Sequence, residues 1–119
     1  MAGQNEKGLK RIINACFFSI AGFKAVWQHE EAFRQEVVLF IITTPIALWL
    51  GHTTSDKLLL IGSVVLVMLV ELLNSAVEAV VDRVGFEHHE LSGRAKDIGS
   101  AAVSLSLAWA AVVWVSLLL

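Results

Sequence analysis

Only one cysteine, Cys16, and one proline, Pro45, occur in the 119 residues, and charged side chains make up just 17%. A lone cysteine excludes an intramolecular disulfide and a cysteine-based metal knuckle. The scarcity of charge, beside 56% hydrophobic residues, moves the chain from the soluble toward the membrane class. A net charge of −2 and the lack of any basic block give no footing for nucleic acid. Neither a GxxxxGK followed by Ser or Thr nor a GxGxxG occurs, so a nucleotide bound here is not held by a familiar phosphate loop. No secretory signal is expected either, because Lys7, Lys10, Arg11 and Asn14 interrupt the first apolar residues. The length suits one small domain, with no repeats or low-complexity linkers to divide it.

What is there is helical. The first five residues are expected to fray. Over 6–27, Leu9, Ile12, Ile13, Cys16, Phe17, Ile20, Phe23 and Trp27 fall at helical spacing, opposite Lys7, Lys10, Arg11, Asn14 and Lys24. A basic amphipathic helix with bulky apolar residues lies in the membrane interface rather than across it. The densely charged WQHEEAFRQE leads into a first span over 31–50, with Arg34 and Glu36 at the headgroup level and Trp49 at the far interface. Pro45 sits inside that span, where Thr43 and Thr44 can satisfy the backbone groups it frees. A short turn follows, in which Thr54 or Ser55 can cap the second span over 57–85, closed by Gly85. A cytoplasmic loop over 86–93 and a third span over 94–119 complete a single membrane domain, and from Ile98 to Leu119 there is no charge. Trp114 reads as a second interface anchor and Trp109 as a residue packed within the span. The small residues Gly99, Ser100, Ala101 and Ala102 let another helix come close. Of the nine basic residues, Lys7, Lys10, Arg11 and Lys24 precede the first span and Arg34 stands at its start, while Arg83, Arg94 and Lys96 flank the second loop. Positive charge therefore places the N-terminus and that loop in the cytoplasm and the C-terminus outside.

Into the second span the sequence sets Glu71, Asn74 and Glu78, and at about 100° per residue these share one stripe with Asp82. Intramembrane carboxylates cost several kcal/mol unless paired, protonated or metal-bound, so the stripe reads as a site. Glu71, the deeper, is starved of water and suits the acceptance of a proton. Glu78, nearer the interface, suits a hydrated divalent cation, and Glu30 and Glu31 fall at the same membrane level. The alternative is hydrogen-bonded glue between helices. Beyond the span, Glu87, His88, His89, Glu90, Arg94, Lys96 and Asp97 mix cations and acids as a metal–phosphate ligand requires, although an ordinary solvated loop has the same composition.

The run ELLNSAVEAVVDRVGFEHHELSGRAKDIGSAA, Glu71 to Ala102, resembles the signature of the bacterial diacylglycerol kinase family, and EAFRQE, Glu31 to Glu36, resembles that family's other block. The resemblance covers nearly the whole chain. It implies an all-α membrane protein, an interfacial N-terminal helix plus three transmembrane helices in a homotrimer of the bacterial inner membrane. It also implies a kinase that moves the γ-phosphoryl group of MgATP to diacylglycerol, giving phosphatidic acid. By position in the motif, Glu71 is implied as catalytic base with Asn74 beside it, and Glu30 and Glu78 as the Mg²⁺ carboxylates. Arg11, Phe18, Ser19, Glu30, Glu78, Glu87, His88, His89, Lys96 and Asp97 are implied around the nucleotide. Arg11, Arg34, Glu71 and Ser100 are implied at the lipid substrate. Phe18 and His88 stand where familiar members carry tyrosine, so a hydroxyl is lost at each. A polyprenol kinase of the same family would use the same machinery. A small proton-coupled exporter would also bury a glutamate, but has no need of the 16-residue polar segment from Asp82 to Asp97. A structural adaptor would tolerate glutamine at both 71 and 78.

Overall fold

A computed structural model describes residues 6–119, and among these it contains four helices and no strand. The first five residues, expected to fray, lie outside that range. Helix α1 is Gly8–His29, α2 Glu31–Leu50, α3 Thr54–Val84 and α4 Glu90–Leu118. The last three are each long and apolar enough to cross a membrane. The chain divides into two compact units, Met1–Glu31 and Ala32–Leu119.

In the first unit, Glu6 receives the Asn14 amide and pairs with Lys10 at 3.2 Å, tying the first turns of α1 together. Leu9, Ile12, Ile13, Phe17, Ile20 and Phe23 are all exposed. The helix stops at Glu30, whose backbone is extended and whose N–H still reaches Val26 O at 2.9 Å.

The second unit is organised by the antiparallel pair α3 and α4. The buried residues of α3 are Leu60, Ser63, Val64, Val67, Glu71 and Asn74. Their spacing of three and four is one helical stripe, apolar at its start and polar at its end. At the apolar end, Leu60 packs with Ala47 of α2 and Val113 of α4, and Ile61, Trp114, Leu117 and Leu118 surround them. The Trp114 indole N–H donates to Leu60 O at 3.1 Å and to Ser63 Oγ at 3.2 Å. Ser63 in turn donates to Leu60 O at 2.8 Å. Trp114 is therefore a pin between α3 and α4. Trp49, 80% exposed, has no such partner role. Trp114→Phe keeps the ring and deletes the donor. It is expected to lower stability by about 0.5–1.5 kcal/mol, read as a shifted unfolding midpoint in micelles.

Local rules explain the helix ends. Thr53, rather than Thr54 or Ser55, caps α3, its hydroxyl accepting from Asp56 N at 3.0 Å. Asp56 itself sits in the first turn, where a negative charge meets the helix dipole favourably. Gly85 follows the last residue of α3, its N–H on Val81 O. His89 caps α4 through Nδ1, which accepts from Leu91 N at 3.1 Å. Arg94, Lys96 and Asp97 consequently stand on α4. Helix α2 passes through Pro45 unbroken. Thr43 donates to Leu39 O at 2.7 Å, its own i−4 carbonyl. Thr44 Oγ1 is buried with no partner among the described residues. Neither hydroxyl serves Ile41 O, the carbonyl that a proline at position 45 deprives of its N–H donor.

Candidate functional site

The polar end of the α3 stripe gathers side chains from three helices of the second unit. Glu71 is 5% exposed and Asn74 9%. One turn on, Asn74 donates its Nδ2 to Glu78 Oε1 at 3.2 Å, which fixes the direction of both groups on one face. The Asn74 Oδ1 is buried with no hydrogen-bond partner among the described residues. Further along the stripe, Asp82 takes the Lys96 ammonium of α4 at 2.8 Å, both side chains partly exposed. The stripe thus runs from a buried carboxylate, through a hydrogen-bonded amide and carboxylate, to a partly exposed ion pair.

From α2 comes Glu36, which was expected at headgroup level. It is 8% exposed, close enough to Glu71 to feel its charge, with Oε1 unsatisfied among the described residues. Two carboxyl groups so placed inside an apolar bundle are costly unless a proton, a cation or a donor joins them. The charged run in which Glu36 stands gave no sign that its side chain is buried within the bundle. The usable signal was its spacing of three from Phe33, which is also buried.

The remaining expected residues separate by unit. Arg11, Phe18, Ser19 and Glu30 belong to the first unit. There Phe18 is exposed and Ser19 donates back to Ala15 O at 2.9 Å. In the second unit Arg34 is half-buried on α2. Glu87 and His88 lie exposed between α3 and α4, and His89, also exposed, is committed to the cap of α4. Asp97 and Ser100 are exposed on α4. The Arg94 partner is Glu90, one turn back at 3.6 Å.

A divalent cation has oxygen donors here but no preformed cage. No group of three or more His, Cys, Asp or Glu side chains is arranged to hold a metal among the described residues. Magnesium does not require one. It takes one or two carboxylates, keeps several waters and accepts phosphate oxygens, so the donor set fits an ion that arrives with a nucleotide.

Comparison with known proteins gives one answer. The family described as prokaryotic diacylglycerol kinase matches residues 17–118. The chain is 54% identical over 114 residues to a diacylglycerol kinase of Escherichia coli K12, spanning 96% of this chain and 93% of that one. It is 51% identical over 107 residues to a diacylglycerol kinase of Haemophilus influenzae, at 90% and 91% coverage. With a diacylglycerol kinase of Pseudomonas aeruginosa the identity is 47% over 116 residues, at 98% and 94%.

Proposed function

This chain belongs to the prokaryotic diacylglycerol kinase family, and we propose that its ATP-dependent lipid phosphorylation takes place at the polar end of the α3 stripe. The acceptor hydroxyl of diacylglycerol comes laterally from the bilayer to Glu71. That carboxylate accepts the hydroxyl proton as the oxygen attacks the γ-phosphorus. The new O–P bond forms, the bond to the β,γ-bridging oxygen breaks, and ADP and phosphatidic acid result. The observation that carries this placement is the descent of one helical face from buried Glu71 to the Asn74–Glu78 bond and the exposed Asp82–Lys96 pair. A deep base for a lipid alcohol and a wet, charged mouth for a nucleotide are what transfer between a bilayer substrate and a cytoplasmic one requires.

Glu78 would hold Mg²⁺, with Asn74 directing it; the role of Glu30 beside it rests on the motif alone. The ion, when bound with ATP, neutralises charge on the phosphates. Lys96, Asp97, Glu87, His88 and His89 would face the nucleotide, with Arg11, Phe18 and Ser19 from α1. Ser100, Arg34 and Arg11 would face the lipid. Helix α1 lies in the cytoplasmic interface, supported by its basic residues and exposed apolar ones. The N-terminus lies inside and the C-terminus outside the bacterial inner membrane, a reading supported by the basic residues around the start of the first span and beside the second loop. The protein works as a homotrimer, a reading supported by Glu36 Oε1 and Asn74 Oδ1, which are buried without a hydrogen-bond partner among the described residues.

The deciding experiment is transfer of labelled phosphate from ATP to added lipid by the purified protein in micelles. Diacylglycerol should be labelled, undecaprenol far less, and chelation of divalent metal should abolish the product. Full activity in excess chelator would remove the metal from the mechanism, and a preference for undecaprenol would reassign the acceptor. Lys96→Gln is expected to raise KM for ATP about tenfold with a smaller change in kcat, as loss of one charged contact does. An unchanged KM would take Lys96 out of the nucleotide site.

A further inference from the structure

The contact that most narrows the freedom of this site comes from a residue without a side chain. Gly99 stands in the third turn of α4. A methyl group built on it would run into Asn74 Oδ1 and come within 3.0 Å of Asn74 Cγ. Gly93, six residues earlier on the same helix, would meet nothing within 4 Å, and the same is true of Gly62 on α3. Among the glycines of α3 and α4, the close approach is therefore particular to position 99.

Nothing in the backbone calls for glycine there. Among the described residues positive φ occurs only at Gly8. Inside a helix glycine is about 0.5–1 kcal/mol less favourable than alanine. What glycine provides is room, and the Asn74 carboxamide fills it. That amide is 9% exposed, its Oδ1 turned toward α4 and its Nδ2 given to Glu78 Oε1 at 3.2 Å. We infer that Gly99 is a positioning residue for phosphoryl transfer: its missing side chain is the berth of the Asn74 carboxamide, and through that amide α4 sets the direction of the Glu78 carboxylate. The inference rests on the reading that Asn74 and Glu78 serve the reaction, and it adds a residue of another helix that touches neither substrate.

The nature of the conflict makes the consequence specific. In Gly99→Ala the added methyl meets the free end of the Asn74 side chain and not the backbone of α3. The cheapest relief is for the amide to swing away, not for the helices to part. The variant should be a folded protein with a misdirected Asn74, whereas a helix-packing role would predict loosened helices.

The test is a double-mutant cycle on Gly99→Ala and Asn74→Ala, with Gly93→Ala as the control on the same helix. Three quantities are read: kcat, the Mg²⁺ concentration at half-maximal rate, and the side-chain NH₂ resonances of Asn74 by NMR without metal or nucleotide. Those resonances are assigned by their loss in Asn74→Ala. Gly99→Ala should move the Asn74 resonances, raise the Mg²⁺ requirement at least about fivefold and lower kcat. In the Asn74→Ala background it should add less than twofold to either kinetic effect, because the group it disturbs is gone. Gly93→Ala should match the parent. Unmoved Asn74 resonances, multiplicative losses in the double variant, or an equal loss in Gly93→Ala would each overturn the role. So would failure of both Gly99→Ala proteins to form the native fold, which would make Gly99 a packing residue. Full activity in Gly99→Ala beside a crippled Asn74→Ala removes Gly99 alone. Full activity in Asn74→Ala removes the site reading beneath it.

Discussion

Glu71→Gln is expected to lower kcat by about 10²–10⁴-fold, the usual worth of a general base, while KM for ATP stays within a few-fold. The substitution preserves length and shape in a residue 5% exposed, and a neutral amide costs less than a carboxylate inside a bilayer. Folding and assembly should therefore survive it, and the loss should fall on the chemical step. Lipid phosphorylation and oligomeric state measured on the same preparation decide the matter. Activity within threefold of the parent would mean that Glu71 is not the base. An assembly that falls apart would mean that its role is to hold helices together.

Glu78→Gln is expected to act differently, through the metal. Glutamine at 78 can still accept from Asn74 Nδ2, so the hydrogen bond now at 3.2 Å is retained. What disappears is the negative charge that would hold Mg²⁺. Loss of an outer-shell partner already costs about 10–100-fold in metal affinity, and a direct carboxylate should cost no less. A titration of activity against Mg²⁺ should show the midpoint rising by at least about tenfold, or no activity at any concentration. A parent-like titration would make Glu78 a structural residue. The contrast with Glu71→Gln is the diagnostic: more metal should restore rate to the Glu78 variant in part, and none to the Glu71 variant.

The long apolar runs made the helices legible, because a span of about 20 apolar residues has few other fates. Their ends were less legible. Thr53 wins the cap of α3 by backbone geometry, since Thr54 has the same side chain, and His89 caps α4 through its ring nitrogen. Within the site, the stripe of Glu71, Asn74 and Glu78 followed from helical periodicity, and the small-residue run containing Gly99 was readable as a place of close approach. Which atom it approaches was not, since the register of α4 against α3 is set by tertiary contacts. Glu36 shows the limit most plainly. Its charged neighbours argue for water, and only the packing of α2 turns its carboxyl inward toward Glu71.

The Trp114 pin also supplies a spectroscopic handle. The chain holds four tryptophans; Trp27, Trp49 and Trp109 are each 47% exposed or more, while Trp114 is bonded to α3 through its indole nitrogen. Subtracting the emission of Trp114→Phe from that of the parent isolates one fluorophore at the end of the α3–α4 hairpin remote from Glu71. Its lifetime and its accessibility to a lipid-borne quencher then report whether the two helices move apart during turnover, without a label and far from the chemistry.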